Sequence, residues 1–200
     1  MTKNSDQYAL GKLIGCLSLL EDKTSILYKT LADKIEPPFV KSLMLLIAQD
    51  SQKHSTILRG IGESLDKGFV KPKECAKNAG VSWQAIENLQ KEISKKEKLS
   101  DSDLLALSER LTLLESVVGE EYYVFVQLKT LELLVNKIDQ SYHVDLASLK
   151  TVFTGIINDE ERHRELIEKT RGILERRREK PVAYPFVQYT NPDAWIGPTK

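Results

Sequence analysis

Cysteine is almost missing from this chain of 200 residues. The two present, Cys16 and Cys75, stand far apart in sequence and no CxxC occurs. That spacing predicts neither a disulfide framework nor a rubredoxin-type iron centre, and both side chains read as ordinary intracellular thiols. An excess of either charge is missing too. With 29 basic and 29 acidic residues, the chain has no long-range field to attract nucleic acid, an anionic membrane or an acidic substrate. A long hydrophobic run is the third absence. The polar start MTKNSDQY leads into an apolar stretch broken by Lys12 and by Glu21-Asp22-Lys23. This excludes a membrane span there and argues against a signal peptide. A cytoplasmic location is the default expectation, with partners to be sought in local sites.

What is present is a helical seam repeated four times. Apolar residues make up 41% of the chain, enough for one domain with a real core. From Gln7 to about Ile35, the positions Leu10, Ile14, Leu17, Glu21, Thr24, Tyr28, Leu31 and Ile35 recur in steps of four and three. Pro37 and Pro38 end that helix and open a second, whose seam is Val40, Met44, Ile47, Ser51, His54, Leu58 and Ile61. A third, capped by Ser100 or Asp101 and running to about Ile138, places Leu104, Ser108, Leu111, Glu115, Val118, Tyr122 and Phe125 in line. A fourth, from about Asp145 to Lys180, lines up Leu149, Phe153, Ile156, Glu160, His163, Ile167, Thr170 and Leu174. Residues 66–100 read as a connection holding one short helix from Trp83 to about Glu97, which Trp83 anchors. Residues 1–180 are thus expected to form an all-α four-helix domain. Residues 181–200, with four prolines and four large aromatics, are expected to form an extended tail docked on a bundle surface.

The halves of the chain resemble each other. LSLLEDKTSILY, ending at Tyr28, aligns with LTLLESVVGEEY, ending at Tyr122, and sets Glu21 against Glu115. IAQDSQKH, residues 47–54, aligns with IINDEERH, residues 156–163, and sets His54 against His163 and Ser51 against Glu160. A duplicated helix pair is the simplest account. Glu21, His54, Glu115, Glu160 and His163 occupy seam positions where an apolar residue belongs. An ionised carboxylate in a dry core costs several kcal/mol, on the order of magnitude of measured burial penalties. Three carboxylates and two imidazoles in one layer therefore call for cations or shared protons. Glu160 and His163, three apart, point the same way and suit one metal ion between them.

Glutamate on the first and third helices, with a Glu-x-x-His pattern on the second and fourth, resembles the ferritin-like superfamily that includes rubrerythrins and ferritins. The resemblance covers about residues 8–178. It implies a di-iron carboxylate centre with Glu21 and Glu115 as terminal ligands, Glu160 as a bridge, and His54 and His163 as one nitrogen ligand per metal. Tyr28 and Tyr122 would lie nearby. The departure is Ser51, which stands where the second bridging carboxylate belongs. Asp50 cannot replace it, because one helical residue turns the side chain by about 100°. The expectation is a degenerate site taking one or two iron ions, with manganese or zinc as other candidates.

By that resemblance the chain would be an oxidoreductase of the di-iron oxidase or peroxidase type, oxidising iron or reducing peroxide or oxygen. It would form a homo-oligomer, a dimer in the simplest case, and would need an external electron donor. The alternative is a metal-free helical scaffold acting in protein assembly, with the same carboxylates paired to protonated histidines. His143, Glu120, Glu121, Asp159 and Glu161 are expected to be solvated and outside the site, although Glu120 or Glu121 could supply an extra carboxylate if the helix rotates or bulges locally. The run from Arg162 to Lys180 is interleaved with glutamates, which reads as intrahelical ion pairing rather than a phosphate-binding stripe.

Overall fold

The computed structural model describes residues 3–65, 70–78, 80–127 and 146–179, with side chains from 11–64, 70–77, 80–119 and 150–177. Its described residues form six helices and no strand. They are α1 (Lys3–Asp33), α2 (Pro38–Leu65), α3 (Pro72–Asn78), α4 (Gly80–Ser94), α5 (Asp101–Gln127) and α6 (Leu146–Glu179). None of them is long and apolar enough to cross a membrane.

The seam read from periodicity is the buried face. Every seam residue with a described side chain is buried, save Ile61, which is partly so. Local chemistry sets the helix ends. Pro38 occupies the first turn of α2, where its missing N–H costs nothing, and the Lys41 N–H donates to the Pro37 carbonyl. At α5, Ser100 rather than Asp101 is the cap. Its Oγ accepts the Asp103 N–H at 3.2 Å while Asp103 Oδ2 accepts the Ser100 N–H at 3.0 Å, a reciprocal capping box.

Helix α1 packs along α2, α5 packs along α6, and α2 meets α6. Small residues let the first pair approach closely. Ser18 Oγ donates to the Ser55 carbonyl at 2.9 Å and Ser25 Oγ to the Ala48 carbonyl at 2.7 Å, so hydroxyls buried between the helices are satisfied. A Cβ on Gly62 would lie 3.6 Å from the Gly11 carbonyl oxygen and from the Gly15 nitrogen, which shows how near the backbones come.

The middle connection differs from expectation in two ways. It contains two helices, not one: α3 starts at Pro72 and α4 at Gly80. Both pack on α1. Trp83 anchors α4 as expected, with its Nε1–H donating to Glu87 at 2.9 Å and Lys23 of α1 4.5 Å above its ring. Cys16 and Cys75 are not thiols. They form a disulfide with Cα atoms 5.1 Å apart, both buried, joining α3 to α1 across 59 residues of sequence. Spacing in sequence did not exclude contact in space, because α3 lays Cys75 against the first helix. On α6 the expected intrahelical ion pairs occur, as between Arg171 and Glu175 at 2.9 Å. The expected tail, His143 and the side chains of Tyr122, Glu120 and Glu121 lie outside the described residues.

Candidate metal centre

The four long helices each bring polar side chains to one buried layer. Glu21 comes from α1, Ser51 and His54 from α2, Glu115 from α5, and Glu160 and His163 from α6, and all six are buried. The helical period accounts for this placement: each residue is in register with an apolar seam, so folding that buries the seam buries the charge as well.

Ligand-type atoms converge in two groups that share one residue. Atoms of Glu21, His54 and Glu160 lie within 4.8 Å of one another, as do atoms of Glu115, Glu160 and His163. His54 Nδ1 is 3.2 Å from Glu160 Oε1 and 3.4 Å from Glu21 Oε1. Neither approach has hydrogen-bond geometry, and His54 Nδ1, Glu160 Oε1 and Ser51 Oγ have no hydrogen-bond partner among the described residues. His163 Nδ1 is 3.1 Å from Glu115 Oε2 and 3.6 Å from Glu160 Oε2. The Tyr28 hydroxyl donates to Glu115 Oε1 at 2.5 Å. Burial, and then the Glu115 charge, raise the Tyr28 pKa well above its ordinary value, so the phenol stays a donor.

Two further residues belong to the site. His54 Nε2 is 3.0 Å from Asp159 Oδ2, and His163 Nε2 is 3.3 Å from Asp50 Oδ2. Each aspartate thus serves the histidine of the other helix. Both are held by the same two cations: Lys53 reaches Asp50 at 3.0 Å and Asp159 at 2.8 Å, and Arg162 reaches them at 2.6 and 3.0 Å. Despite opposing burial, these contacts hold both aspartate pKa values below the ordinary carboxylate value. The expectation that Asp159 is merely solvated is therefore corrected. The signal lay in the repeat, where an aspartate stands four residues before each histidine and a basic residue one before it.

This arrangement fixes ring orientation. With Nε2–H given to an aspartate, a neutral imidazole turns its Nδ1 lone pair into the core, as metal-ligating histidines do. The rings tilt by 31° with centroids 6.2 Å apart. Without a cation, protons take its place. Burial opposes charge on both rings, yet Glu160 and Glu21 raise His54 to about 10, and Glu115 and Glu160 raise His163 to about 11. Burial and the Glu21 charge push Glu160 up to about 7. The mixed oxygen and nitrogen set could hold a metal ion, and buried ligand atoms without hydrogen bonds among the described residues fit a cation held between them. No protein-family model, curated protein or solved structure matches this chain.

Proposed function

We propose that this chain is a ferritin-like metal-binding protein, a four-helix bundle of the pairs α1–α2 and α5–α6, whose core takes one or two iron ions. The observation that carries the reading is the position of Glu160, common to two buried clusters of ligand-type atoms. Glu21 and His54 would hold one ion, Glu115 and His163 the other, and Glu160 both. Asp50 and Asp159 would orient the histidines, and Tyr28 would fix one oxygen of Glu115 so that the other faces the ion. Bound iron would supply one-electron and Lewis-acid chemistry toward oxygen or peroxide, the basis of an oxidase or peroxidase activity with an external electron donor.

Ser51 makes the site degenerate. Four carboxylates neutralise two divalent ions, whereas Glu21, Glu115 and Glu160 leave one positive charge to an added anion or favour a single ion. The test is elemental analysis of protein incubated with ferrous iron under anaerobic conditions, then exposure to oxygen or peroxide. One or two retained equivalents, oxidised on exposure, support the reading; no retained iron, manganese or zinc defeats it.

A second reading draws on the protonation state just described. Two imidazolium ions facing three carboxylates, one of them readily protonated, nearly neutralise the core without metal. On that reading the chain is a metal-free scaffold for protein assembly, and the same analysis finds no ion. A homodimer and a cytoplasmic setting remain part of the first proposal. The buried disulfide is more usual in oxidising compartments, so it weighs against that setting.

A further inference from the structure

The duplicated halves treat one position differently, and the difference opens a path to the core. In the first half, side-chain hydrogen bonds bridge α1 and α2 at this position. Ser25 Oγ donates to the Ala48 carbonyl at 2.7 Å, and Gln52 Nε2 donates to Asp22 Oδ1 at 3.3 Å. In the alignment that sets Glu21 on Glu115 and His54 on His163, Ser25 corresponds to Gly119, Ala48 to Ile157, Asp22 to Ser116 and Gln52 to Glu161. There, between α5 and α6, lies a pocket of about 200 Å³ lined by Glu115, Ser116, Gly119, Ile157, Glu160, Glu161 and Arg164.

Gly119 is what leaves the space. A Cβ at this position would sit 3.4 Å from Glu160 Cβ and 4.0 Å from Glu160 Cγ, so a longer side chain would crowd the stem of the shared glutamate. The pocket runs from an exposed carboxylate, Glu161, to two buried ones, Glu115 and Glu160. Its one lining cation among the described residues, Arg164, is already engaged by Glu161 and lies 3.3 Å from Ser116 Oγ. Glu160, which lines the pocket, is buried, and its Oε1 has no hydrogen-bond partner among the described residues. That space is well above the roughly 10–15 Å³ that one water needs on the same measure, so a cation can arrive with part of its hydration shell and exchange it for carboxylate oxygens.

We propose that this pocket is the route by which divalent cations reach the centre, with Glu161 as the outer ligand and Gly119 as the residue that keeps it open. The inference rests on the metal-binding reading above and assigns access to the α5–α6 face. Cations would therefore meet the Glu115, Glu160 and His163 cluster first.

Stopped-flow uptake of Co(II) by the whole chain under anaerobic conditions separates this inference from the reading beneath it, because equilibrium stoichiometry tests the site and the rate tests the route. Gly119→Leu should bind as many ions as the wild type but roughly tenfold more slowly or worse, within the range over which association rates vary among mutants. Gly119→Ser, which restores the residue of the first half, guards against a folding defect and should slow uptake in the same direction. Glu161→Gln should slow it about threefold at low salt and less at high salt. Unchanged rates in Gly119→Ser and Glu161→Gln with wild-type stoichiometry would overturn the route and leave the metal site standing. Wild-type protein that takes up no Co(II) would overturn both.

Discussion

Replacing Asp159 by asparagine removes the carboxylate 3.0 Å from His54 Nε2 while leaving all five ligand-type residues in place. The imidazole loses the anion that fixes its orientation and makes Nδ1 more basic toward a cation. Outer partners of this kind typically contribute 10- to 100-fold in metal affinity, which is about 1.4 to 2.7 kcal/mol. Relief of proton competition does not offset the loss, because His54 is kept protonated by Glu160 and Glu21 against opposing burial. Since Asp50 serves His163 and Asp159 serves His54, the two substitutions should act on different ions. Asp159→Asn should weaken the ion shared by Glu21, His54 and Glu160, and Asp50→Asn the ion shared by Glu115, His163 and Glu160. Anaerobic Co(II) titration followed by visible absorbance, with thermal unfolding as a check on folding, resolves the two. Equal weakening of both ions by either variant would refute selective orientation, and unchanged affinity in both would refute any orienting role.

Ser51→Glu supplies the carboxylate missing from the duplicated pattern and should tighten Co(II) binding by about tenfold or more, 1.4 kcal/mol being the tenfold unit. The metal-free form of that variant should unfold at lower temperature, because two imidazolium ions do not balance a fourth buried carboxylate. Cys75→Ser opens a 59-residue separation and should lower unfolding free energy by about 4 kcal/mol in a chain-entropy account, measured by urea denaturation; a loss under 1 kcal/mol would show that the link adds little. The metal-free protein should lose stability as pH rises. His54 and His163 titrate at about 10 and 11 in the folded chain against an ordinary value near 6.5, so their contribution is complete below pH 6.5 and disappears as pH passes through the folded values. Unfolding temperature of chelator-treated protein between pH 6.5 and 9.5 checks this; a flat or rising profile would contradict it.

The helical seams and the polar layer within them were legible because burial follows a period that the sequence states residue by residue. Leu17, Glu21, Thr24 and Tyr28 share a face whatever else the chain does. The aspartates were harder to see, since Asp50 and Asp159 lie one residue off the seam and their value comes from histidines on the opposite helix. The disulfide was not legible at all. It depends on where the seven-residue helix α3 lands on α1, and a helix so short carries too little periodicity to announce itself. The pocket lay between these cases. The change from Ser25 to Gly119 stands in the alignment, but its meaning required the distance from Gly119 to Glu160.

The central claim is that Glu160, common to both clusters, is the residue on which metal binding depends, and ion counting in single-ligand variants tests it most directly. Anaerobic loading with ferrous iron, desalting and elemental analysis should give one or two equivalents for the wild type, no more than one for Glu21→Ala and none for Glu160→Ala. A wild-type protein that retains no metal, or a Glu160→Ala variant that loses only one ion of two, would contradict the account.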